Sequence, residues 1–102
     1  MNRYRISALA KRDLEGIWDY IGITNDNPAA ARRQIELLHE RFVLLAKRPR
    51  IGQLRDDLQP DLRFFPAGSY VILYYPVEDG IEVAGVIHGA RDIEEMFRRG
   101  ER

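Results

Sequence analysis

The stretch from Leu62 to Asp92, LRFFPAGSYVILYYPVEDGIEVAGVIHGARD, decides how the rest of this chain is arranged. It reads as three strands joined by two tight turns. Ser69 to Tyr75 is β-branched and aromatic, Ile81 to His88 matches it in length, and Glu78-Asp79-Gly80 between them carries hairpin turn chemistry. Pro66-Ala67-Gly68 supplies the other turn. With Pro66 at the second position of a type I turn and Gly68 at the fourth, the Arg63 to Phe65 strand folds back onto the next.

Both faces of this meander are apolar. Val71, Leu73 and Tyr75 point one way along the central strand and Tyr70, Ile72 and Tyr74 the other, as the two-residue period of a strand requires. One face buries a helical layer. The other, carrying tyrosines and flanked by Arg63, His88 and Arg91, is either a second core or a surface awaiting a partner.

The helical layer precedes the meander. Arg3 to Ser7 alternates, with Tyr4 and Ile6 on one side, and predicts a short edge strand. Ser7 caps a helix starting at Ala8, on which Leu14, Ile17, Trp18 and Ile21 form one stripe. Thr24-Asn25-Asp26-Asn27 ends it. Asn27 and Pro28 then open a second helix, along which Ile35, Leu38, Phe42 and Leu45 recur at threes and fours, broadened by Leu37 and Leu44. Pro49, Gly52 and Pro60 punctuate a polar connection expected to cross the surface. After His88 the spacing of Asp92 and Glu95 predicts a capped final helix carrying Ile93, Met96 and Phe97 inward.

The order is strand, helix, helix, three strands, short helix, an α+β plan in which a two-helix hairpin packs on a mainly antiparallel sheet. Residues 1–102 are expected to form a single domain. The first strand can pair with any exposed edge of the meander.

Composition narrows the chemistry. There are no cysteines and only two histidines, so thiol catalysis and cysteine zinc sites are excluded and no metal or cofactor is expected. Sixteen basic and sixteen acidic residues give a net charge of zero, which argues against a global pull onto nucleic acid. The basic residues cluster, at Lys47, Arg48, Arg50 and Arg55 and again at Arg98, Arg99 and Arg102. No signal peptide or membrane span is legible, and a cytoplasmic location is the default expectation.

Three segments together resemble the ParE branch of the RelE/ParE toxin superfamily: Tyr4-Arg5-Ile6-Ser7 leading to Asp13-Leu14-Glu15-Gly16-Ile17-Trp18-Asp19-Tyr20, then Pro49-Arg50-Ile51-Gly52, then Leu62 to Asp92, closing on Val86-Ile87-His88-Gly89-Ala90-Arg91-Asp92. The resemblance implies a RelE/ParE-like fold and the toxin of a bacterial toxin–antitoxin module. ParE members are understood to poison DNA gyrase, whereas RelE relatives cleave messenger RNA on the ribosome. In the RelE pattern, arginines sit at positions resembling Arg63 and Arg91, and a tyrosine near the end of the chain aids catalysis. Phe97 stands at the comparable late position here and cannot exchange a proton. The resemblance therefore implies a gyrase-directed, non-enzymatic toxin with no catalytic residue. The alternatives are a RelE-type endoribonuclease, with His88 as a substitute base, and a relative that has lost its activity.

On this reading the candidate target-binding residues are Arg63, Tyr70, Tyr74, His88, Arg91, Arg98 and Arg99. The candidate antitoxin-binding residues are Leu14, Ile17, Trp18, Ile21, Ile35 and Leu38. The partners expected are a cognate antitoxin and gyrase, with no membrane and no sequence-specific nucleic-acid binding. Each residue also has a plainer role. Arg63 and Arg91 suit exposed ion pairs with Asp61 or Asp92, Trp18 suits the core, His39 a helix surface, and Asp56-Asp57 a solvated turn. The Arg98 to Arg102 tail reads as a solvated end whose removal costs no more than about 0.5 kcal/mol of stability.

Overall fold

The computed structural model describes residues 2–102. Strand β1 (Arg3–Ile6) leads into helix α1 (Ala8–Trp18), and a π-helical segment (Asp19–Thr24) continues it. Helix α2 (Pro28–Lys47), strands β2 (Gln53–Leu54), β3 (Arg63–Ala67), β4 (Tyr70–Val77) and β5 (Gly80–His88), and helix α3 (Ile93–Arg98) follow. Three of the helix starts foreseen from the sequence are capped by the residues foreseen. The Ser7 hydroxyl accepts from Ala10 N–H, the Asn27 amide oxygen from Ala30 N–H with Pro28 at the first turn, and the Asp92 carboxylate from Glu95 N–H.

The sheet has five strands in the order β1-β5-β4-β3-β2. The meander is antiparallel throughout, and β1 takes the β5 edge in parallel, with Tyr4 opposite Ile81 and Ile6 opposite Val83. Gly80 makes that edge usable. Its φ is +153°, and a Cβ there would stand 1.7 Å from the Arg3 carbonyl oxygen, so only glycine lets the two backbones approach.

Three local expectations are corrected. The connection from Pro49 to Pro60 is more than a surface crossing, because Gln53 and Leu54 pair with Phe64 and Arg63 and add a fifth strand. The first meander turn is Gly68-Ser69, with Gly68 at φ +61°, and Pro66 lies inside β3 opposite Val71. Beyond the two residues of β2 that edge is open, so a residue without an N–H is tolerated there. The second turn is Glu78-Asp79, which extends β4 to Val77 and places Gly80 within β5.

The question of the two faces resolves into two cores. Ile72 and Tyr74 of β4 pack beneath the helical hairpin with Leu38, Phe42 and Leu45, and Tyr70 borders the same cluster. Leu73, with Val71 and Tyr75 beside it, packs against Leu62, Ile93 and Met96, so α3 and the segment before β3 cover the opposite face. Arg55 fastens this cover. Its guanidinium bonds Asp57 and Glu94 at 2.8 and 2.9 Å and lies 5.0 Å from the centre of the Phe64 ring.

One irregularity sets the geometry of β5. Leu73 is opposite Gly85 and Tyr74 opposite Val83, so Ala84 is an extra, bulged residue. The bulge inverts the alternation. Ile81 and Val83 before it and Val86 after it face the helices, while Ala84 and Ile87 face the smaller core.

Candidate functional site

β1 covers β5 only as far as Val83, and Ser7 N–H makes the last backbone bond, to the Val83 carbonyl at 3.0 Å. From Ala84 onward the outer edge of β5 faces α1 rather than a strand, and its backbone groups need other partners. Side chains supply them. Asp13 of α1 accepts from Val86 N–H at 2.9 Å, while the bulged Ala84 carbonyl accepts from the Ser7 hydroxyl at 3.4 Å and from Arg102 Nη1 at 3.2 Å. Arg102 also forms an ion pair with Asp13 through its other terminal nitrogen. Gly85 leaves the room for it, since a Cβ there would lie 2.8 Å from Arg102 Nη1.

Above this seam lies an open cleft of about 590 Å³. Arg12, Gly16 and Ile17 of α1 and Tyr20 of the π-helical segment form one wall; Tyr70 at the start of β4, His88 at the end of β5 and Arg91 form the other. Tyr70 and His88 are cross-strand partners, and their rings meet edge to face with centroids 5.4 Å apart. His88 Nδ1 accepts from Ala90 N–H at 3.1 Å, which leaves the proton of the neutral ring on Nε2. Burial, and secondarily Tyr20, raises the Tyr70 phenol above its ordinary pKa. The π-helical turn, closed by Asn25 N–H to the Tyr20 carbonyl at 3.0 Å, leaves Tyr20 59% exposed.

Of the target-binding candidates, Tyr70, His88 and Arg91 share this cleft. Arg63 and Tyr74 do not reach it. Arg63 Nη1 donates to the Arg50 and Gly52 carbonyls at 3.0 and 2.8 Å, and its Nε is buried without a partner; the expected ion pair with Asp61 or Asp92 is absent among the described residues. Tyr74 is fully buried, its hydroxyl accepting from Gly52 N–H at 2.9 Å and donating to the Pro49 carbonyl at 2.8 Å. Both residues therefore anchor the loop between α2 and β2, and Tyr74 is withdrawn from any contact surface. Arg98 and Arg99 are exposed and share Glu95.

The antitoxin candidates divide in the same way. Leu38 and Ile17 are core residues, Leu14, Ile21 and Ile35 are half-buried around them, and only Trp18 is open, at 37% exposure. Trp18 was the residue expected in the core. It sits at the margin of the stripe, over Gly22, where no side chain lifts it away. Ile23, 70% exposed, follows on the same segment, and Leu9 and Val43 are exposed on α1 and α2.

Arg12 was not singled out from the sequence, Asp13 and Tyr20 entered only within the resemblance, and Arg102 only as part of the basic tail. Arg12, Gly16 and Tyr20 stand at i, i+4 and i+8, a signal for one helical face that the search for an apolar stripe overlooked. Asp13 and Arg102 had no such signal, being far apart in sequence. Among the described residues no cluster has the makings of a metal site, and no helix is long and apolar enough to cross a membrane.

Residues 4–93 match the family described as the ParE toxin of the type II toxin–antitoxin system parDE. The chain is 32% identical over 96 residues to Toxin ParE1 of Mycobacterium tuberculosis, covering 91% of this chain and 95% of that protein. It is also 32% identical over 92 residues to Toxin ParE1 of Caulobacter vibrioides, covering 86% and 90% of the two. Among solved structures, a chain of the chromosomal ParDE toxin–antitoxin system from P. aeruginosa has the same fold, with a TM-score of 0.67 at 17% identity over 83% of this chain and 92% of that one.

Proposed function

The chain belongs to the ParE toxin family of type II toxin–antitoxin systems, and from that premise we propose that it is a non-enzymatic poison of DNA gyrase, held in check by its cognate antitoxin. The observation that carries this reading is that the positions resembling the RelE pattern lack free acid–base groups. Arg63 is committed to the Arg50 and Gly52 carbonyls. The Phe97 side chain packs against the smaller core and offers no proton.

The ribonuclease reading keeps one point in its favour, namely that His88, Tyr70 and Arg91 share one cleft. The antitoxin is expected to cover the open apolar side of the helical hairpin around Trp18 and Ile23. Purified toxin should inhibit supercoiling by gyrase and leave messenger RNA on programmed ribosomes intact. Codon-specific cuts that disappear in an Arg91→Ala variant would replace the gyrase reading with the ribonuclease one.

A further inference from the structure

The cleft between α1 and the ends of β4 and β5 carries a local charge that the neutral composition conceals. Arg12 and Arg91 line it, and neither makes an ion pair or a side-chain hydrogen bond among the described residues. The one carboxylate in its wall, Asp13, is engaged by Arg102 and by Val86 N–H. The other acids on this segment, Glu15 and Asp19, do not line the cleft. Two arginines without an ion-pair partner therefore line an opening that Tyr20 and Tyr70 also line, with Asp92, Glu95 and Glu101 beside Arg91 on its outer side. Free arginines beside aromatic rings suit a ligand with an anionic end and a flat body, and the volume lies within the range of small-ligand sites.

We propose that this cleft is a nucleotide-binding site, in which Arg12 and Arg91 take the phosphate and Tyr20 and Tyr70 take the base. His88 adds a donor at Nε2, its Nδ1 being occupied by Ala90 N–H. Nothing in the cleft reads base edges through a rigid pair of donors and acceptors, so recognition is independent of sequence. The Asp13–Arg102 pair serves the site indirectly, because it offsets the charge of the one carboxylate that lines the cleft. A nucleotide unit has two sources, a free nucleotide or a nucleic-acid strand, and their shared chemistry is what the cleft fits.

The full-length protein should bind a fluorescein-labelled short oligothymidylate in an anisotropy titration, more weakly as salt rises. Thymidine monophosphate and inorganic phosphate are then used as competitors. An oligonucleotide bound much more tightly than the monophosphate identifies a strand as the ligand, and equal affinity identifies the free nucleotide. The Arg12→Gln/Arg91→Gln variant should lose tenfold or more in affinity, and Tyr20→Ala should weaken the nucleotide severalfold while leaving phosphate competition unchanged. Arg98→Gln/Arg99→Gln, outside the cleft, should bind as the native protein does. The arginine and Tyr20 positions are exposed, and an unchanged melting temperature confirms folding. The site is refuted if no probe binds, if the Arg12/Arg91 variant keeps its affinity, or if inorganic phosphate competes as well as the nucleotide. It stands apart from the gyrase reading: a toxin that inhibits gyrase yet binds none of these probes has no such site, and the target assignment is untouched.

Discussion

Arg102 and Asp13 are 89 residues apart in sequence and form a nearly buried ion pair, with side-chain exposures of 9% and 16%. The pair ties the last residue of the chain to the middle of α1 and closes the edge of β5 that β1 leaves bare. A tail expected to be a solvated end is thus a fastening. Its outer arginines, Arg98 and Arg99, do behave as surface charges, exposed and paired with Glu95.

Arg102→Ala should therefore destabilise the protein by about 2 kcal/mol, somewhat below the loss for breaking a fully buried pair because both side chains retain some water. Arg98→Ala should change stability by no more than about 0.5 kcal/mol. Urea titrations of the two variants check the contrast. Equal midpoints would mean that the Asp13 contact contributes nothing and that the tail is a free end after all.

Tyr74→Phe removes a hydroxyl that serves both Gly52 N–H and the Pro49 carbonyl, leaving two loop groups without their partner. The expected cost is about 1–3 kcal/mol. Loss of order should be local, appearing as faster amide exchange from Arg50 to Leu54. A variant as stable as the native protein would show that water replaces the hydroxyl without penalty.

Alkaline pH tests the tyrosines collectively. Burial raises Tyr70, Tyr74 and Tyr75 above the ordinary value of 10.0, with Tyr20 adding to the effect at Tyr70 and Glu82 at Tyr75. At Tyr74 the Gly52 N–H and Arg63 oppose the rise without cancelling it. Above pH 10 the unfolded chain releases these protons before the folded one does, so the folded state binds more protons and stability falls as pH rises. The contribution is complete below pH 10 and is lost as pH climbs through the raised values. A melting temperature flat from pH 9 to 11 would contradict this, and the Tyr74→Phe variant should show a shallower decline.

Gly80→Ala should detach β1. A methyl group at that position meets the Arg3 carbonyl, and β5 or β1 must move for the chain to accept it. The expected loss exceeds the about 1 kcal/mol typical of point changes and should be accompanied by rapid exchange of the Arg3 to Ile6 amides. Preserved protection in β1 would show that the turn relaxes instead.

Trp18 reports on the antitoxin. It is 37% exposed, and a partner that covers the helical hairpin must bury it further. Addition of the antitoxin should shift tryptophan emission to the blue and raise the melting temperature. If the emission stays where it was while the melting temperature rises, the partner binds elsewhere.

The helices were legible because each carried its own signals: Ser7, Asn27-Pro28 and Asp92 cap them locally, and the apolar spacing of α2 persists over its length. The meander was legible for the same reason. What escaped depends on contacts remote in sequence. β2 is two residues long and exists only because β3 offers an edge. The turn at Gly68-Ser69 was misplaced because Pro66 resembles a turn former, and its place in the strand depends on where β2 stops. The bulge at Ala84, which sets the faces of β5, is announced by no local composition. Tyr74 stood as a target-binding candidate on a face left open between core and surface, and only the folded loop supplies Gly52 and Pro49 for its hydroxyl. The cleft joins residues from both halves of the chain, so its individual arginines and tyrosines carried no shared mark.

The parallel pairing of β1 with β5 also sets a timetable for synthesis. A hairpin can close as soon as its second strand is made, but β1 must wait until β5 has been translated, and Asp13 gains Val86 N–H and then Arg102 only after that. Until then α1 has no edge to lie against, and the wall of the cleft that β5 provides does not exist. The helical hairpin is therefore synthesised before the strands that cover its apolar side.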